Sequence, residues 1–288
     1  MEKNILGKNN PLVSVLIGSF NREKLILRCL DSILNQTYEN IEIIVVDDAS
    51  SDNTISVLEK YVNNYPNQIQ FIRNETNKGI AYNSNLSYSL AKGDYFALIG
   101  DDDEWHDQNK IAKQLNVFEK NSKLGIVSTF WNDVKNGQIV KKHEPIIDKD
   151  YLGQILRGNG IYCGSTVLIS KNAWESVNGF DESIPRGTDS DLFRSIIAKG
   201  YATKIIKSFS ANIYIDDHIR MTPTKSIQAF KKDILSNEIC LFKFKEEFKV
   251  HKRAKRARKK TLIKKYLRLL IKEPQFYNII RFVKGMRL

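Results

Sequence analysis

Residues 95–105 read Tyr95-Phe96-Ala97-Leu98-Ile99-Gly100-Asp101-Asp102-Asp103-Glu104-Trp105. An apolar run of strand length stops at a glycine, and four carboxylates follow without a break. This predicts a buried parallel strand that delivers acidic side chains to the carboxyl edge of a sheet. Open α/β sheets bind ligands at that edge. Adjacent carboxylates repel one another, so the cluster costs stability unless a cation or hydrogen-bond donors relieve it. Hard oxygen ligands suit Mn²⁺ or Mg²⁺, ions that commonly bridge to substrate phosphates. The plainer alternative is a solvated acidic turn ahead of the helix expected from Asp107.

Upstream, apolar strands are expected at Leu12–Gly18, Ile41–Val46 and Ile69–Ile72. Helical repeats separate them: Leu25, Ile26, Cys29, Leu30, Ile33 and Leu34 after the first, then Ile55, Leu58 and Val62. Strand and helix in alternation with short connections imply right-handed βαβ units. Downstream, the pattern predicts a helix over Asp107–Asn121 and strands at Gly125–Phe130, Ser165–Ser170 and Ala202–Ile206. It also predicts a hairpin at Asn136-Gly137, a helix over Thr188–Lys199 and helical structure from Thr224 onward. The expected fold class is α/β: a Rossmann-like, mostly parallel nucleotide-binding sheet flanked by helices, with a basic helical tail. Residues 1–222 are expected to form the catalytic domain, 11–105 its nucleotide half and 106–222 its acceptor half, and 223–288 the extension.

The chain has 288 residues, 42% hydrophobic and 27% charged, values of a globular protein. It shows no apolar run long enough for a transmembrane helix and no signal-peptide core, and its three cysteines lack metal-ligand spacing. A cytoplasmic location is expected. The net charge of +12 is lopsided: residues 243–288 hold 17 Lys and Arg against three Glu, leaving the body near neutral. An anionic partner is expected for the tail, distinct from what the body acts on.

The first strand ends in Gly18-Ser19-Phe20-Asn21 rather than G-x-G-x-x-G, and no P-loop is present, which argues against NAD, FAD or a backbone phosphate cradle. The loop Asp47-Asp48-Ala49-Ser50-Ser51-Asp52-Asn53-Thr54 follows the second strand. Its polar groups suit either a nucleotide's base and ribose or the start of the next helix, with Ser50 or Ser51 as N-cap.

Taken in order, these loops and a later Thr188-Asp189-Ser190-Asp191 resemble the inverting nucleotide-sugar glycosyltransferases of the GT-A fold, family 2-like, over about residues 11–220. Val13–Arg22 is similar to the family's opening strand and x-Y-N-R turn, with Phe20 in place of tyrosine. Val45–Thr54 is similar to its V-D-D-G-S-x-D-x-T loop. The resemblance implies nucleotide contacts from Ser19, Asn21, Asp48, Ser50, Asn77, Asn85 and Asp101, with Ser84 where many members carry arginine. It implies Asp102 as the leading metal ligand, with Asp103 and His218 as further candidates, and glycine at 100 where an aspartate often stands. A surface role for His218 is the alternative. Gly164 and Ser165 would admit the sugar diphosphate; Trp105 is expected to pack rather than stack on a sugar. Asp189 aligns with the catalytic base and Asp191 with its partner, Thr188 replacing the usual glutamate; the alternative for Asp189 is a helix N-terminal acid.

Inversion is a single displacement, needing one base for the acceptor hydroxyl and a cation for the departing diphosphate. The reaction so implied is transfer from a nucleotide-sugar, in the first instance a UDP-sugar, to a hydroxyl of a glycan or lipid-linked acceptor in bacterial surface polysaccharide synthesis, with Mn²⁺ or Mg²⁺. The alternatives are a sugar nucleotidyltransferase, which wants a glycine- and Arg/Lys-rich triphosphate loop, and a non-catalytic anion- or membrane-binding module. The basic block Lys252–Lys260 precedes an apolar stripe of Leu262, Ile263, Tyr266, Leu267, Leu270 and Ile271, and aromatic residues follow Pro274. This suits an anionic membrane surface at the inner face of the cell membrane. The alternatives are docking of the stripe on the catalytic domain and, less in keeping with the body's chemistry, nucleic acid.

Overall fold

The computed structural model describes residues 10–158, 160–216 and 226–273. The first half runs β1 (Val13–Ser19), α1 (Leu25–Leu34), β2 (Ile41–Asp47), α2 (Thr54–Asn64), β3 (Ile69–Arg73), α3 (Ile80–Leu90), β4 (Tyr95–Leu98) and β5 (Glu104–Trp105). The second half continues with α4 (Lys110–Glu119), β6 (Leu124–Lys135), β7 (Gln138–His143), α5 (Tyr151–Arg157), β8 (Leu168–Ser170), α6 (Lys171–Glu175), α7 (Thr188–Ala198) and β9 (Ala202–Tyr214). The extension adds α8 (Ile227–Lys243), α9 (Glu247–Val250) and α10 (Lys252–Lys272).

The strands lie in the order β3-β2-β1-β4-β8-β6-β9-β5, with β7 on β6. β1 pairs in parallel with both β2 and β4, and β2 with β3, as the βαβ alternation predicts. β8 enters antiparallel between β4 and β6, while β6 and β9 run parallel. Because β1 sits between β2 and β4, the loops leaving all three strands meet at one carboxyl edge. Alternate residues of β1 serve two cores. Val13, Val15 and Ile17 pack with Ile26, Cys29, Leu30 and Ile33 of α1, whereas Leu16 packs with Ile44, Phe96, Leu98 and Trp174. Each fully buried aliphatic side chain contributes about 1.5–3 kcal/mol, which fixes the strand register beneath the loops.

The Asn136-Gly137 hairpin forms as expected, both residues having positive φ (50° and 75°), the geometry of a tight turn matched to strand twist. The strand expected over Ser165–Ser170 is shorter. Gly164–Thr166 forms a 3₁₀ turn instead, because Ser165 Oγ turns toward the acidic loop and the Thr166 amide bonds Cys163 O at 3.0 Å.

The helices α8–α10 build a third core with α5: Leu156 meets Ile234, Cys240, Phe244, Phe248, Leu262, Tyr266 and Leu269. Of the stripe expected to reach a bilayer, Leu262 and Tyr266 are fully buried in this core. These two dock on the body, where α5 and α8 supply apolar surface, while Leu267 (45% exposed) and Ile271 (82% exposed) stay at the surface. Part of the basic block is internal too: Arg258 donates from Nε to Leu156 O and from Nη1 to Asn237 Oδ1, both at 3.0 Å. Arg253, Arg256, Lys260, Lys264 and Arg268 face solvent. The aromatic residues after Pro274 lie outside the described residues. Among the described residues, no helix is long and apolar enough to cross a membrane.

Candidate active site

Three loops close the carboxyl edge of β1, β2 and β4, and they are laced together by their own polar groups. Ser19 is buried, and its carbonyl accepts from the Asp48 amide at 2.7 Å. Ser50 Oγ accepts from Asn21 N at 2.9 Å, and Asn21 Oδ1 accepts from Ser51 N at 2.8 Å. Neither serine caps α2; Asp52 does so, accepting from Thr54 N at 3.0 Å. Ala49 sits at φ 64°, a left-handed conformation that favours glycine, which is the residue the family pattern has there.

Asp48 is 3% exposed and its carboxylate binds the protein itself. Oδ1 accepts from Asn74 Nδ2 (2.9 Å) and Lys78 N (2.7 Å), and Oδ2 from Gly79 N (2.9 Å). Three of a carboxylate's roughly four acceptor positions are thus filled, and Asp48 fixes the start of α3. Asn77, expected at the nucleotide, is exposed, and Asn74 takes the inward place, bonding Asp48 and Asn83. Asn85 bonds the loop after α6. Its amide donates to Phe180 O and Glu182 Oε1 and accepts from Phe180 N, so it pins the loop before α7.

In the acidic turn the three aspartates face different ways. Asp101 is 1% exposed and accepts from Phe20 N (3.3 Å) and Arg22 Nε (3.4 Å), tying β4 to the β1 loop. Burial, then the charge of Asp102, pushes its carboxyl up to about 7, with Arg22 opposing. Asp103 is also turned inward: Oδ2 accepts from Ser165 Oγ and Oδ1 from Tyr214 N. Burial, then Asp102, holds it well above the usual carboxylate range. Each Asp103 oxygen thus accepts a hydrogen bond from within the protein. Asp102 alone of the three is half-exposed. Its carbonyl is gripped by Arg28 Nη2 at 2.5 Å, and that guanidinium lies 3.4 Å from the Tyr214 ring centroid. Trp105 packs, as expected, donating to Ser165 O at 2.7 Å. Among the described residues no three His, Cys, Asp or Glu side chains converge on a metal position; His218 lies outside them. The acidic turn fits an ion held by one protein carboxylate and completed by a diphosphate, a common arrangement for Mg²⁺.

The turn at Gly164–Thr166 joins this cluster to the first turn of α7. Ser165 Oγ accepts from Gly100 N at 3.0 Å, and a Cβ on Gly164 would lie 3.9 Å from Asp189 Oδ2. Asp189 and Asp191 differ sharply. Asp189 is half-buried, accepts from Ser190 N at 2.7 Å and forms no ion pair among the described residues; burial raises its pKa against that hydrogen bond. Asp191 is 1% exposed and ion-paired with Lys243 (2.6 Å) and Arg194 (3.7 Å). A cleft of about 360 Å³ opens between α3 and the 182–188 loop that precedes Asp189 in the chain, lined by Gly79, Tyr82, Gly187, Lys78, Arg186 and Lys232.

A parallel half-sheet with an acidic turn at its carboxyl edge, joined to a second half by an antiparallel strand, is the frame of the GT-A fold. The sequence profile of the family described as Glycosyl transferase family 2 matches residues 14–177, and the chain belongs to that family, whose members transfer sugars from nucleotide-sugar donors. Chondroitin synthase from Escherichia coli is 30% identical over 196 residues, covering 67% of this chain and 27% of that protein, so the chain spans little more than a quarter of that relative. Among solved structures, S. aureus TarS 1–349 in complex with UDP superposes with a TM-score of 0.61 at 16% identity, over 80% of this chain and 65% of that one. The mannosyltransferase PcManGT from Pyrobaculum calidifontis, in complex with GDP-Man and Mn²⁺, superposes with a TM-score of 0.60 at 16% identity, over 97% and 81%. These two are likenesses of fold.

Proposed function

We propose that the chain is a metal-dependent, inverting glycosyltransferase that moves a sugar from a UDP-sugar to a hydroxyl of a glycan or lipid-linked acceptor in surface polysaccharide synthesis. The observation that carries this reading is the contrast between Asp189 and Asp191. Asp191 is neutralised by cations in the interior, while Asp189 is half-exposed, without an ion pair among the described residues, and raised in pKa by burial. A carboxylate so placed can accept a hydroxyl proton, and a raised pKa makes it a stronger base. Asp102 would hold Mn²⁺ or Mg²⁺, which would supply charge stabilisation for the departing nucleoside diphosphate. The Gly18–Asn21 and Asp47–Asp52 loops hold the nucleotide. Gly164 leaves room for the sugar before Asp189, and the acceptor enters by the cleft beside Gly187.

The outward cations of α10, with the exposed Leu267 and Ile271 beside them, suit contact with an anionic membrane surface. Sedimentation with anionic liposomes tests this: reversing Arg253, Arg256, Lys260 and Lys264 to Glu should release the protein, and unchanged sedimentation refutes it. The catalytic reading is tested by nucleoside diphosphate release from a panel of UDP- and GDP-sugars with and without Mn²⁺. Turnover should need the ion and be lost in Asp102→Ala. Equal turnover after chelation, or in Asp102→Ala, refutes the metal's place.

A further inference from the structure

Lys243 stands at the last turn of α8, in the extension and beyond the stretch that matches the family profile. Its ammonium donates to Asp191 Oδ2 at 2.6 Å and to Asp181 Oδ2 at 2.7 Å. These two aspartates bracket the loop that leads into α7: Asp181 lies at its start, and Asp191 in the helical turn that carries Asp189. One cation therefore ties both ends of the segment on which Asp189 stands. The loop is also held by Asn85, which bonds Phe180 and Glu182, and by Arg186, which pairs with Asp233 at 3.1 Å and whose amide donates to Ser236 Oγ, but none of these contacts reaches the helical turn of Asp189. Gly187, the residue before α7, is exposed and adopts φ 69°, and no side chain caps the helix. Asp181 is itself organised, accepting from Ser183 N and Oγ, so the tie reaches a structured turn. At the other end Asp191 Oδ1 is buried without a hydrogen bond, and Arg194 is no nearer than 3.7 Å. Lys243 is thus the close partner of that carboxylate.

We propose that Lys243 is a positioning residue for the transfer reaction, setting the loop and first helical turn that present Asp189, so that the extension is part of the catalytic unit. The proposal rests on the assignment of Asp189 as base. A misplacement of a reacting group by about 1 Å costs roughly 10²-fold in rate, and without Lys243 the buried carboxylate in the first turn of α7 keeps only the longer Arg194 pair at 3.7 Å. A purely structural ion pair would change melting temperature and leave the folded enzyme's kcat alone.

The test uses the full chain, the nucleotide-sugar turned over fastest in the Mn²⁺ panel, and the variants Lys243→Met, Lys243→Arg, Asp181→Asn, Asp189→Asn and the Lys243→Met/Asp189→Asn pair. Lys243→Met should lower kcat by roughly 10- to 100-fold with donor KM within about twofold. Lys243→Arg should restore most of the loss. In the double variant, kcat should fall no further than in Asp189→Asn alone, since the lysine acts through that carboxylate. Should Lys243→Met fail to fold, Asp181→Asn loosens the same tie from its half-buried end and should show the same selective loss of kcat. Wild-type kcat in folded Lys243→Met or Asp181→Asn, with Asp189→Asn impaired, overturns this proposal alone, as does a multiplicative loss in the double variant. Wild-type turnover in Asp189→Asn removes the base assignment and this proposal with it.

Discussion

Gly100→Ala is a small change with a large expected effect, because the acidic turn closes over the space a side chain would occupy. A Cβ at this position would lie 2.9 Å from Asp103 Oδ2 and 3.0 Å from Asp102 Oδ1. Such contacts are shorter than van der Waals separation, so something must shift. Asp103 resists, since Ser165 Oγ and the Tyr214 amide hold its two oxygens. The Gly100 amide also donates to Ser165 Oγ, so backbone movement would strain the turn leading toward Asp189. Overpacking of a well-fitted site costs about 1–3 kcal/mol. At about 2–4 °C per kcal/mol for a chain of this size, the melting temperature should drop by about 2–12 °C. Displacing Asp102 should also lower kcat, by roughly tenfold or more. Calorimetry and nucleoside diphosphate release measure the two effects. Gly100→Asp, which restores the residue common in the family, should be worse than alanine. A Gly100→Ala variant with wild-type melting temperature and turnover would refute the steric account of the turn.

Asp189→Asn should lower kcat by about 10²–10⁴-fold while leaving donor affinity nearly unchanged. It should also melt higher at neutral pH. The raised folded-state pKa means the native carboxyl holds its proton more tightly than the unfolded one, so stability falls as pH rises through that range. A lower melting point would reverse the sign of that argument. Lys110 is fully buried beside the Trp105 ring, donating to Gln114 Oε1 at 2.9 Å, and burial lowers it to about 7. Below that value the cation is carried into the core at a cost that disappears as pH rises toward the ordinary lysine range, so Lys110→Met should gain more stability at about pH 6 than at about pH 9. An equal change at both pH values would contradict this. Leu262→Ala should cost about 2–5 kcal/mol, because the side chain belongs to the third core; a loss below about 0.5 kcal/mol would mean that α10 does not depend on that contact.

The strand and helix alternation of the first half was legible in the sequence because its signals are local. Apolar runs ending in acidic loops identify parallel strands and their carboxyl ends, and the strand order then brings Ser19, Asp48 and Asp101 to one edge. The inward places of Asn74 and Arg28 were less legible. Each depends on which side of a loop or helix faces a neighbour distant in the chain, which spacing alone does not encode. The contacts of Asn85 with Phe180 and Glu182 were hidden for the same reason, since the side an amide on α3 faces is decided by packing. Periodicity in α10 correctly marked an apolar face, but periodicity says only that something covers the face. The covering surface, Leu156 and α8, became visible with the tertiary structure. Lys243 gave no signal because its two partners lie 52 and 62 residues away.

Proton NMR of the anomeric signals during turnover of an α-linked UDP-sugar, with Mn²⁺ and water or glycan as acceptor, tests the central assignment most directly. A single displacement driven by Asp189 predicts that the first product signal is the β anomer, appearing before mutarotation and absent in Asp189→Asn. An α anomer as first product, or β product formed at the wild-type rate by Asp189→Asn, would contradict it.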